Sequence, residues 1–162
     1  MSSYYTDEYT RNIPPDTNVP AGVVLASGTT LVGKTSGYAQ NDVIYMCRIP
    51  KNAVLLDVIV TWSGESNLAI QVGTSAGVDS IYNAITGTAI GAFSMSGGQQ
   101  GTSAVTTGLK AASVIRPGYK FTAADYVTVK FTGSAGLSAD GTVAVYVQYF
   151  MDYGSDLETD VG

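Results

Sequence analysis

Histidine is absent from all 162 residues, which removes the commonest general base, pH-sensing group and metal ligand at once. The only cysteine is Cys47, so neither a disulfide framework nor a cysteine-based zinc site is available. Set within an apolar stretch, that thiol reads as a small buried hydrophobe rather than a nucleophile. Charge is scarce too. Charged residues make up 13% of the chain, about half the share usual in a soluble domain. Either a Thr/Ser-rich β surface stands in for charge, or much of the surface is not free; depletion of charge at interface cores favours the second. The net charge of −5, with no cluster of Lys and Arg, argues against nucleic acid as the main partner. No uninterrupted apolar run approaches membrane-spanning length. Met-Ser-Ser-Tyr-Tyr-Thr-Asp-Glu has neither the basic start nor the apolar stretch of a signal peptide, so the expectation is a product without a membrane partner that is kept in a cytoplasm or leaves it by a route other than a cleaved signal.

What the chain does have is Gly, Ser, Thr, Ala, Val and eleven tyrosines. Residues 1–22 make a polar arm with Tyr4, Tyr5, Tyr9, Arg11, Ile13-Pro14-Pro15 and Pro20. The prolines bias it toward extended conformations, and it has too few aliphatics for a core. Such an arm is either disordered or a strap laid on a neighbouring subunit, a role that tyrosine serves at small entropic cost. Residues 23–151 read as a β-sandwich domain and residues 152–162 as an acidic, solvated tail.

Period-two alternation marks three strands clearly. Val54, Leu56, Val58, Val60 and Trp62 fall on one face of 54–62; Val127, Val129 and Phe131 on one face of 126–132; Val143, Val145, Val147 and Tyr149 on one face of 142–150. The opposite faces of two of these strands stay partly apolar, with Leu55 and Ile59 on one and Tyr146 and Phe150 on the other. A second apolar face is covered by a loop or packed on a partner. Weaker strands are expected at 29–35, 43–49 and 68–72. Residues 66–109 carry a single charge, Asp79, and suggest short strands joined by long loops, with one helical turn near 79–85. Six to eight short strands with long turns imply an all-β fold, a β-sandwich of jelly-roll type.

Gly28-Thr29-Thr30-Leu31-Val32-Gly33-Lys34-Thr35 satisfies the phosphate-binding pattern G-x-x-x-x-G-K-[ST]. That chemistry needs a helix after the lysine, whose first amides bind phosphate. Ser36-Gly37-Tyr38-Ala39-Gln40-Asn41-Asp42 supplies none, so the segment reads as a β-strand. Asp57, Glu65, Asp79, Asp125 and Asp140 are scattered without a catalytic spacing, and there is no calcium-loop pattern. Trp62 suits either a sugar-stacking platform or the core, and its phase with Val58 and Val60 favours the core. No catalytic residue, cofactor or metal site emerges.

The run Asn41-Asp42-Val43-Ile44-Tyr45-Met46-Cys47-Arg48-Ile49-Pro50-Lys51-Asn52-Ala53-Val54-Leu55-Leu56-Asp57 resembles a group of small tailed-bacteriophage virion proteins of the capsid decoration, or cement, type. In that group a D-V-I-Y strand runs into I-P-K/A-x-A and then V-L-D. Tyr9-Thr10 through Ile13-Pro14-Pro15 to Gly22-Val23 is similar to the group's N-terminal arm, and Val72-Gly73-Thr74 matches it in style. Locally the motif reads as a β-hairpin: Pro50 stops one strand, Lys51-Asn52 turn, and Ala53 starts the return. The resemblance implies a β-sandwich, often trimeric, on the outer surface of a virion assembled in the host cytoplasm. Its partners would be the major capsid protein and copies of itself, with no active site. The assembly contacts expected are Tyr4, Tyr5, Tyr9, Ile13, Tyr146 and Phe150. Two other readings stay open, a tail or fibre-base component and a carbohydrate-binding β-sandwich.

Overall fold

The computed structural model describes residues 3–5, 24–95, 98–100, 108–109, 115–133 and 136–152. All regular structure among them is β: β1 (Ser3–Tyr5), β2 (Val24–Val32), β3 (Val43–Ile49), β4 (Ala53–Thr74), β5 (Gly77–Ser94), β6 (Gly98–Gln100), β7 (Gly108–Leu109), β8 (Asp125–Phe131) and β9 (Thr142–Met151). Of the expected arm, Ser3–Tyr5 pairs in parallel with Val43–Tyr45 of β3. Residues 6–23, with Tyr9 and Ile13, lie outside the described residues, as does the tail beyond Asp152.

The strands form two sheets packed as a β-sandwich. In the first, β2 pairs with β9, β9 with the N-terminal half of β4, and that half with the C-terminal half of β5, which carries β6. In the second, β1, β3, β8, the C-terminal half of β4 and the N-terminal half of β5 follow one another, with β7 outermost. One hairpin, β4–β5, therefore runs through both layers. It changes sheet between Ser63, the last partner of β9, and Ile70, the first partner of β8. Register shifts at Trp62/Glu65 and Glu65/Leu68 mark the crossing, and Gly64 sits there at φ 75°. Extra residues on one strand bend it and increase its twist, which is what a strand needs to change sheet.

Several expectations change. Residues 66–109 were expected as short strands with a helical turn at 79–85; instead 79–85 lies inside the 18-residue β5, which pairs with the 22-residue β4. Paired register, Ile70↔Ile85 and Val72↔Tyr82, buries Ile81, Tyr82 and Ile85, and this burial outweighs the weak local propensity of a Gly/Ser/Thr/Ala-rich stretch. The phase predicted for 54–62 holds only after a bulge at Leu55/Asp57. Before it Ala53 and Leu55 join the core cluster, with Val54 buried at 8% outside that cluster; after it Val58, Val60 and Trp62 join it. Leu55 thus belongs to the core and Leu56 does not. The Pro50–Ala53 turn forms as read, with Ala53 N–H donating to Pro50 O (3.3 Å) and Asn52 at φ 67°, a conformation Asn tolerates. It is an arch between sheets rather than a hairpin, because β3 pairs with β1 and β8 and never with β4.

The phases predicted for β8 and β9 stand: Val127, Val129, Phe131, Val143, Val145, Val147 and Tyr149 are all buried. Each such Val or Phe contributes about 1.5–3 kcal/mol by leaving water. Cys47 and Trp62 join the same core. The indole of Trp62 lies across β5 on two glycines. A Cβ at Gly87 would stand 2.6 Å from its Cζ2, and one at Gly91 only 2.3 Å. Forcing a methyl into so close a contact costs about 1–3 kcal/mol. Gly91→Ala is therefore expected to destabilise the fold by about that amount in urea unfolding. Combined with Trp62→Leu, the loss should be well below the sum of the two, since the methyl then meets no ring.

Candidate assembly face

The outer face of the first sheet follows from register. Three strands lie side by side there, giving rows Val24–Phe150–Val54, Ala26–Gln148–Asp57, Gly28–Tyr146–Ile59, Thr30–Ala144–Thr61 and Val32–Thr142–Ser63. Asp57 is the single residue in these rows that is charged at neutral pH. It is 6% exposed, and its Oδ1 accepts the Met95 backbone N–H at 2.7 Å. An uncharged strip of apolar, small, hydroxyl and amide side chains is left facing outward. Val24, Val32 and Tyr146 are 58%, 60% and 41% exposed, while Ile59 and Phe150 are half-buried. Ser63 Oγ and Thr142 Oγ1, 2.6 Å apart, satisfy each other at one end of the strip.

Tyr146 is seated by a glycine. A Cβ at Gly28 would stand 2.3 Å from Tyr146 Cδ1, so the ring covers the β2 backbone where no side chain intervenes. Gly28 is also the first glycine of the phosphate-loop pattern, and its role here is steric. The lysine of that pattern, Lys34, follows a strand rather than opening a helix, and its Nζ stands 4.4 Å from the centroid of the Tyr38 ring. Tyr38 in turn stacks on Phe131 with centroids 5.8 Å apart. A cation held over an aromatic face is a structural contact.

Of the residues singled out in the sequence, Tyr146 and Phe150 share this face on β9, and Ile59 lies beside Tyr146. Tyr4 and Tyr5 lie on β1, at an edge of the other sheet. Sequence reasoning passed over Gly28, Val24 and Val32, whose place on the face depends on β2 pairing with β9. It also passed over the outer face of the second sheet, where Tyr45 and Tyr126 meet edge to face at 6.1 Å. Their phase, opposite to Ile44 and Val127, was the available signal.

The polar groups beneath the face are structural. Tyr82 O–H donates to the backbone oxygen of Val58. Burial, and secondarily the Asp57 charge, holds the phenol far above its usual range. Among the described residues, no three His, Cys, Asp or Glu side chains group as a metal site would need. Trp62 is 2% exposed, which rules out the sugar-platform role for its ring.

No protein-family model and no curated protein matches the sequence. Solved structures do. A chain from the capsid of Ralstonia phage GP4 superposes with TM-score 0.62 at 20% identity, over 94% of this chain and 100% of that one. A chain from the cyanophage Pam1 capsid gives 0.52 at 22% identity, over 91% and 98%. The fold is shared with phage capsid chains.

The Tyr82 proton gives a prediction with a definite sign. Unfolded, the phenol ionises near pH 10, whereas folded it keeps its proton to higher pH. The unfolded state then binds fewer protons, so stability is fully present below about pH 10 and falls as pH rises beyond it. Tyr82→Phe is expected to lower stability at neutral pH by about 1 kcal/mol. It should also flatten the decline above pH 10, as read from unfolding curves at several pH values.

Proposed function

We propose that this chain is a bacteriophage virion structural protein that decorates and stabilises the assembled head by binding the major capsid protein. The observation that carries the reading is the near-complete overlap with two chains of phage capsids. The Ralstonia phage chain is contained whole in the match, so the likeness is to a subunit of this small size. The uncharged strip around Tyr146 supports the same reading from physics. An aromatic and aliphatic face without outward charges loses little on desolvation, which suits it to contact another protein rather than solvent.

In this reading the protein acts without catalysis. The outer face of the first sheet packs on the shell or on a second copy, with a homotrimer as the assembly. Tyr146, pre-set over Gly28, and Phe150 are the anchors, since fixed aromatic rings lose little conformational entropy on binding. The arm, including Tyr4, Tyr5, Tyr9 and Ile13, straps a neighbour, and many modest contacts on a symmetric shell add by multivalency.

Binding of purified protein to undecorated capsids tests this. Tyr146→Glu, at an exposed position, should leave thermal unfolding nearly unchanged and weaken capsid binding about 30-fold or more, the loss expected of a 2 kcal/mol anchor. Wild-type occupancy by the variant would remove this face from the account. A wild-type protein that never bound capsids would remove the function itself.

A further inference from the structure

The outer face of the second sheet differs from that of the first in charge. Register gives it the rows Arg48–Tyr126, Tyr45–Thr128–Gly73 and Val43–Lys130–Gln71, which hold two cations and no carboxylate. Tyr45, Arg48 and Tyr126 are half-buried. Thr128 is satisfied within the chain, its hydroxyl donating to Thr74 O at 3.3 Å. The Nε of Arg48 is not, being buried and without a hydrogen-bond partner among the described residues. A buried N–H left unpaired on a cation is costly, and it points to an acceptor that the single chain does not supply.

The aspartates among the described residues are nearly all committed. Asp42 accepts the Ala39 N–H (2.9 Å), and Asp57 accepts that of Met95. Asp125 accepts the N–H groups of Ser75 (3.2 Å) and Tyr126 (2.7 Å), and Asp152 pairs with Lys120. Asp79 is half-buried and has contacts of its own. Asp140 is exposed, with no hydrogen bond or ion pair among the described residues. Its turn is well fixed: Gly33 N–H donates to Gly141 O (2.8 Å), Gly141 N–H donates to Ser138 O (3.2 Å), and a Cβ at Gly64 would stand 2.4 Å from Asp140 O. Arg48 lies two residues before Pro50, at the end where β9 finishes opposite Ala53, whereas Asp140 lies two residues before β9 begins. The length of that strand, about 30 Å, keeps the two groups apart within one chain.

We propose that copies of this chain join head to tail, with Asp140 of one copy taking the Arg48 guanidinium of the next beside Tyr45 and Tyr126. A carboxylate accepts side by side from Nε and one terminal nitrogen of a guanidinium, the fork that arginine offers. Arg48 turns out of its own cover to meet it, a rotamer change of the kind common at interfaces. Tyr45 and Tyr126, already edge to face, line the contact, as tyrosines do around an arginine anchor. Ser138 and Ala139, exposed and small, let the Asp140 turn approach closely. Two different patches meet, so the contact is heterologous and closes into a ring when its rotation closes. This deepens the homotrimer of the proposed function and rests on it.

Sedimentation of the purified full-length protein over a range of concentrations tests the contact by charge swapping. Arg48→Asp and Asp140→Arg should each weaken association about 30-fold or more, since each sets like charges together. The double variant Arg48→Asp, Asp140→Arg restores an opposite pair at every contact and should recover most of the association. Single variants that associate like the wild type, or a double variant no better than either single one, would overturn the proposal. A wild type that binds capsids yet stays monomeric in solution and on the shell would overturn this contact alone and leave the head-decorating role standing.

Discussion

One ring holds the two layers together. Trp62 sits where β4 begins to cross from the first sheet to the second, and its indole rests on β5 where only glycines fit, at positions 87 and 91. Because β4 and β5 are each continuous through both sheets, the angle between the layers is set at this crossing. Register on either side follows from it: β9 aligns on residues 53–63 of β4, and β8 on residues 70–74. A side chain that loses contact here would loosen both sheets at once, since close-packed cores transmit strain rather than absorb it.

The candidate face inherits its residue rows from that arrangement. Once β4 is fixed against β9, and β9 against β2, Tyr146 is carried over Gly28 and Asp57 is drawn under Met95. The single charge in the rows is thereby tied into the backbone instead of facing outward. The low charge of the composition thus has a location, an uncharged sheet face, and four of the eight basic residues lie near the Pro50 end. Arg48 and Lys51 flank that proline, while Arg116 and Lys120 arrive through a segment bonded to Ala53 and Leu55.

Much of this was legible in residue order. The phases of 126–132 and 142–150 are uninterrupted, so alternation alone identified their buried faces, and Trp62 went to the core by its phase with Val58 and Val60. The phase before Asp57 failed because a bulge adds one residue without any compositional mark. The Pro50 turn was read correctly but its connection was not, since local turn chemistry is the same whether the next strand returns to its own sheet or crosses to the other. The length of β4 and β5 was hidden for a different reason. A stretch rich in Gly, Ser, Thr and Ala has little preference of its own and takes its structure from its partners. Gly28 shows the limit most plainly: within the sequence it completes a phosphate-loop pattern, and only the pairing of β2 with β9 reveals a seat for an aromatic ring.

The most direct measurement is a high-resolution cryo-electron microscopy map of the phage particle that contains this protein. The account predicts density for the sandwich on the outside of the head, with the Tyr146 face buried against the shell or another copy. Heads without this density, or a sandwich whose Tyr146 face points into solvent, would contradict it.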